Sequence, residues 1–185
     1  MAMDSIKRIE AFRDFFHYGT KEKMQEAYAR ITDTECGLTK NIDWEAEEFL
    51  FNRLFVGPAS PEAPMTASVY LDPERHTNGR ITEKVREIYT AAGLSLSNRG
   101  SIPEDLLPVE LDACCILKRL AEVDENFIEL YEQLTAMHMY MWIPLFTERA
   151  GSCADESSAV MHVLCMLDEW IKNEVTSLVM SKEKI

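Results

Sequence analysis

The chain has 185 residues, 46% of them hydrophobic, which is enough to bury one substantial core. Its 32 acidic against 19 basic residues leave a formal charge of -13; such a surface repels nucleic-acid phosphates and anionic lipid and favours a basic partner, while also serving solubility. Five cysteines, an odd count with no C-x-x-C pair, argue against a disulfide framework and a zinc ribbon and fit reduced thiols in the cytoplasm.

At the N-terminus Lys7, Arg8 and Glu10 interrupt the apolar residues, so no secretory signal is expected. The first helical stripe is Met24, Ala27, Tyr28 and Ile31, with Thr20 placed as its N-cap. A second, Phe51, Leu54 and Phe55, follows Asp43 in the same role, and a third, Val85, Ile88, Tyr89 and Ala92, stops at Gly93. Between them, residues 56–80 carry Gly57, Pro58, Pro61, Pro64, Pro73 and Gly79, so they cannot be helical throughout. Ser68 to Leu71 is the one short strand candidate, too isolated to build a sheet.

Residues 94–108, with Gly100, Pro103 and Pro108, read as a hinge. Beyond it Asp124 precedes the stripe Phe127, Ile128, Tyr131 and Leu134. Asp155 then precedes the stripe from Ala159 to Ile171, expected to be the longest helix. The uncharged run Gln133 to Thr147 contains His138 and Pro144 and is too short to span a bilayer. The fold class is therefore all-α: a single two-lobed helical domain over 1–185, with an N-terminal lobe to about 93, the hinge at about 94–108 and a C-terminal lobe from about 109.

The stretch from Pro103 to Leu111 is the most informative. With Asp105 as N-cap, Pro108 falls at N3, where its missing N–H costs no intrahelical bond, and the helix runs on through Leu117 and Leu120. A ligand-binding role for the Asp105 carboxylate is compatible with capping. Adjacent Cys114 and Cys115 point about 100° apart on a helix and read as small core residues. Met137, Met139 and Met141 flank His138, and Met161 and His162 precede Cys165 and Met166. Soft copper(I) ligation competes there with packing or an adaptable peptide surface, and the second reading is preferred. No phosphate loop, nucleophile elbow, zinc-protease or dinucleotide motif occurs, so neither an enzyme nor a metal, nucleotide or other cofactor is predicted.

Pro103-Glu104-Asp105 followed by Val109-Glu110-Leu111 resembles the hinge motif of the TorD/DmsD/NarJ chaperones. Upstream, Leu54-Phe55-Val56-Gly57-Pro58, then Ala63-Pro64 leading to Ser68-Val69-Tyr70-Leu71-Asp72, resemble further segments of that family in the same order. Downstream, His138, Trp142-Ile143-Pro144 and Phe146 resemble another, so the likeness spans about Phe49 to Trp170. The sequence departs from the pattern at Leu106, where the family has a histidine, at Met65, Thr66 and Ala67, and at Ser157 and Ser158.

The resemblance implies a cytoplasmic assembly chaperone, monomer or homodimer. Its partners would be the twin-arginine signal peptide and catalytic subunit of a molybdopterin-containing oxidoreductase, held for cofactor insertion before export. Such a leader has a cationic front and an apolar middle, which calls for carboxylates beside a hydrophobic groove. The expected peptide-binding residues are Ser68, Tyr70, Pro103, Glu104, Asp105, Leu106 and Glu110. The alternative is a scaffold or regulator of the same fold that has lost leader recognition.

Overall fold

The computed structural model describes residues 5–33, 41–74, 78–96 and 102–182; Cys36 and Gly100 lie outside them. Helix α1, Ser5–Tyr18, buries Ile6, Ile9, Phe12, Phe15 and Phe16, and burying each such side chain contributes roughly 2 kcal/mol. It packs against α2, Lys21–Ile31, and against α6, Leu107–Ala121. The apolar stripe predicted for α2 is its inner face, with Met24, Ala27 and Ile31 buried. Thr20 is the N-cap residue, but its side chain makes no capping hydrogen bond.

Helix α3, Trp44–Phe51, is capped as expected by Asp43, whose carboxylate accepts the N–H groups of Glu45 and Ala46. Its last turn widens into a π-type stretch over Asn52–Val56. The chain leaves through Gly57 at φ +100, where an added Cβ would stand 2.2 Å from the Ala59 carbonyl oxygen; only glycine fits there. Within the proline-rich connection, Ser68–Leu71 forms one helical turn, α4. Helix α5, Arg80–Ala91, ends where the sequence places its stop, with Gly93 at φ +72 just past the C-cap.

After α6 come α7, Asn126–Leu134, a second π-type stretch over Thr135–Met139, α8, Tyr140–Gly151, and α9, Ala159–Lys182. Asp124 accepts the N–H of Asn126 at the start of α7, and α9 is the longest helix described. No strand occurs among the described residues, only an isolated antiparallel bridge between Thr66 and Leu106. Buried apolar side chains from α1 to α9 form one continuous cluster. An aromatic chain runs through it from Phe16 to Phe55, Phe146, Trp142 and Tyr70, with successive ring centroids 5.5–6.0 Å apart. Among the described residues no helix is long and apolar enough to cross a membrane.

The start of α9 is capped from another helix. The Glu47 carboxylate of α3 accepts the N–H groups of Ala159 at 2.9 Å and Val160 at 3.0 Å, placing a negative charge on the positive end of the helix dipole. Glu47→Ala should therefore cost about 1 kcal/mol in urea unfolding; an unchanged midpoint would show that the cap contributes nothing.

Candidate functional site

The Asp105 carboxylate is fully buried and satisfied from two sides. It accepts the backbone N–H of Ser68 at 2.8 Å and the hydroxyl of Thr82 at 2.9 Å. Its backbone is engaged as well. The Asp105 carbonyl accepts Ala67 N–H at 3.0 Å, and Leu107 N–H donates to the Met65 carbonyl at 2.8 Å, which pairs Thr66 with Leu106. Asp105 is thus not the N-cap of α6, as expected from the local sequence. The cap residue is Leu106, in extended conformation and without a side-chain bond, and Pro108 sits in the first turn at the second helical position rather than the third. Two long-range partners hold Asp105 in the paired segment, where it caps α4 instead of its own helix.

Next to it, Glu104 is nearly buried and receives Arg86 in a two-pronged pair, Nε to Oε1 at 2.8 Å and Nη2 to Oε2 at 3.0 Å. The Tyr89 hydroxyl donates to the Glu104 carbonyl at 3.1 Å. Thr82, Arg86 and Tyr89 are spaced by four and three residues, so one face of α5 is fastened to residues 104–105.

The second buried carboxylate is Glu110. It bonds Nε2 of His138 at 2.6 Å and accepts the indole N–H of Trp142 at 3.1 Å. Trp142 stacks on Tyr70, with centroids 5.7 Å apart and planes at 26°. The Tyr70 hydroxyl donates to the Pro64 carbonyl at 2.9 Å, and burial raises its pKa. For His138, burial is the largest influence and lowers the pKa. The charge of Glu110 and its hydrogen bond outweigh it, and the net shift is upward.

The structure thus brings the predicted site residues together, but mostly as interior. Ser68, Glu104, Asp105 and Glu110 are buried, whereas Tyr70, Pro103 and Leu106 keep part of their surface in solvent. The carboxylates expected to await an arginine already have partners. Cys114 and Cys115 are buried in the core as predicted. Met139 is buried with its sulfur 3.3 Å from the Cys114 thiol, while Met137 and Met141 are exposed. No three His, Cys, Asp or Glu side chains converge in a metal-holding group among the described residues.

A groove of about 1110 Å³ opens on the other side of α5, between it and α7. Ile81, Val85 and Ile88 form one wall, and Ile128, Leu130 and Met137 lie opposite. Glu87, Glu125, Glu129 and Glu132 line it against a single lysine, Lys84, and His138 reaches it from the Glu110 network. None of the seven residues predicted to bind peptide lines this groove. Val85, Ile88 and Ile128 read in the sequence as ordinary amphipathic helix faces and Met137 as packing or an adaptable peptide surface, whereas Glu87, Glu125, Glu129 and Glu132 carry no signal of their own there.

Asp105→Ala strands the Ser68 N–H and the Thr82 hydroxyl and should cost about 3 kcal/mol, with faster amide hydrogen exchange in α5; protection equal to wild type in α5 would contradict the bracing role. For His138, a pKa raised above 6.5 means that the stability from its pair with Glu110 is fully present below 6.5 and is lost as pH rises through the elevated folded value. Urea unfolding of Glu110→Gln should show a loss of about 3 kcal/mol on the acid side of that window, shrinking on the alkaline side; a difference independent of pH would contradict the pairing.

Comparison with known proteins places this geometry. The pattern of the nitrate reductase delta subunit family matches residues 19–148. The chaperone protein TorD from Vibrio cholerae serotype O1, in the Classical Ogawa strain and in the El Tor Inaba strain, is 31% identical over 105 residues, covering 54% of this chain and 47% of the relative. The chain therefore spans about half the length of the curated relatives it matches. The crystal structure of a candidate redox enzyme maturation protein from Archaeoglobus fulgidus superimposes with a TM-score of 0.60 at 17% identity, over 93% of this chain and 96% of that one, which is a likeness of fold. With its family pattern covering most of the chain, and its ordered motifs on the same helical framework, the chain belongs to the nitrate reductase delta subunit family, the TorD-like group that its sequence resembles.

Proposed function

We propose that this protein is a cytoplasmic maturation chaperone, without catalytic activity of its own. It binds the twin-arginine signal peptide of a molybdopterin-containing oxidoreductase and holds the catalytic subunit for cofactor insertion before export. The observation that carries the reading is an acidic groove with apolar walls in a protein of formal charge -13, a surface matched to a leader with a cationic front and an apolar middle. Membership of a family whose curated relatives include TorD chaperones supports it.

In this reading the junction of Ser68, Tyr70, Pro103, Glu104, Asp105, Leu106 and Glu110 serves peptide binding chiefly by bracing. Tyr70, Pro103 and Leu106 alone offer surface to a ligand. Leu106, in place of the family's histidine, contributes apolar contact and no proton chemistry. The division into an N-terminal lobe, a hinge near 94–108 and a C-terminal lobe belongs to the same proposal, with the hinge segment carrying Pro103, Glu104, Asp105 and Leu106 of the junction between two groups of helices.

Capture from the native cytoplasm followed by mass spectrometry tests it. The expected catch is a molybdoenzyme catalytic subunit that still carries its leader, lost when the two leader arginines are changed to glutamine. Recovery of an unrelated partner with no molybdoenzyme subunit would favour the scaffold reading and overturn this one.

A further inference from the structure

The groove between α5 and α7 carries its acidic and its apolar residues in separate places, which gives a bound segment a direction. Glu125, the N-cap residue of α7, and Glu129 within that helix are four residues apart, and Glu87 lies on α5. All three are exposed, and none forms an ion pair among the described residues. Beside them lie exposed apolar side chains. Ile128 is 39% exposed and Met137 73%, and at four-residue steps beyond Met137 stand Met141 at 55% and Leu145 at 43% on α8. Exposed apolar side chains at this spacing next to an acidic groove are costly to leave in water. Unbranched methionines also let such a surface mould itself to different apolar sequences.

We propose that this surface, rather than the junction, is the docking face for a peptide with a cationic front and an apolar middle. Glu87, Glu125 and Glu129 receive the cations, and Ile128, Met137 and Met141 receive the apolar residues that follow. The proposal rests on the leader-binding reading and adds the residues and the direction of the bound segment. Charge complementarity selects the occupant. A second copy of this chain, itself at -13, would bring like charge to an acidic mouth, whereas a basic segment gains attraction and faster encounter. Asp105, Glu104 and Glu110 do not compete for the cations, since burial and existing partners occupy them. They fix the walls instead: Thr82, Arg86 and Tyr89 fasten the back of α5, and His138 fastens the stretch that carries Met137.

The test is calorimetry on the full chain with two peptides: a twin-arginine leader from a molybdoenzyme catalytic subunit, and a designed peptide of unrelated sequence with two arginines before a leucine-rich segment. The variants are Glu87→Gln/Glu125→Gln/Glu129→Gln, Met137→Ser/Met141→Ser, and a charge control, Glu22→Gln/Glu26→Gln/Glu156→Gln, all at exposed positions and each checked for an unchanged unfolding midpoint. The groove triple variant is expected to weaken both peptides about tenfold and to flatten the salt dependence, with the charge control changing affinity less than about twofold. The methionine pair is expected to weaken the leucine-rich peptide about tenfold as well. If the designed peptide binds in this manner and the leader does not, the docking face stands and the leader-binding function falls. If the leader binds with equal affinity to wild type and to both groove variants, the function stands and the docking face is overturned. Binding of neither peptide, or a dimer in sedimentation that Met137→Ser/Met141→Ser dissolves, overturns the docking face too.

Discussion

Two carboxylates buried away from water, Asp105 and Glu110, set the geometry on which the remainder of the site depends. An ionised group in an apolar interior is tolerated only when its lone pairs are met by donors, and here the donors come from distant parts of the chain. Asp105 draws in the start of α4 and the inner face of α5, and Glu110 draws in His138 and Trp142. Each therefore converts a desolvation cost into positional information: if either wall of the groove shifted, a buried charge would lose its partner. The walls are held from behind, and of the groove's lining side chains only His138 is tied by a hydrogen bond to these two carboxylates, through Glu110.

This arrangement explains how a motif can matter for binding without touching the ligand. Residues 103–110 look like a recognition sequence, with acidic and apolar residues around two prolines, and Pro108 at the second position of α6 fixes where that helix begins. Yet their polar atoms are turned inward. In the proposed reading, recognition falls to exposed side chains on α5 and α7, where exchange of one residue for another costs little stability. A rigid interior frame and a permissive exterior suit the proposed chaperone, which would hold a client while keeping its own fold.

The helices were legible in the sequence because their signals are local. Asp43 caps α3, Gly93 ends α5 at positive φ, and the stripe from Ala159 to Ile171 is the buried face of the longest helix. Asp105 was misplaced as the cap of α6 because local sequence cannot show that Ser68 and Thr82, 37 and 23 residues away, claim its carboxylate first. Glu110 is likewise claimed by partners 28 and 32 residues off. Helix α1 stood out least, since Lys7, Arg8 and Glu10 break its apolar run, although Phe12, Phe15 and Phe16 lie at the centre of the core. The groove was invisible for a different reason: it exists only where two helix faces, each ordinary alone, are brought opposite one another.

The central claim is that the buried carboxylates brace the groove while ligand contact occurs on α5, α7 and the stretch after it. Amide chemical shifts of isotopically labelled full-length protein, followed as a twin-arginine leader is added, test it most directly. The account predicts the largest changes at residues 84–91, 125–134 and 137–141, with the Ser68 amide, bonded to Asp105, still protected from exchange in the complex. Changes concentrated at Ser68 and residues 104–107, with that amide losing its protection, would mean that the junction opens to receive the peptide itself and would contradict the account.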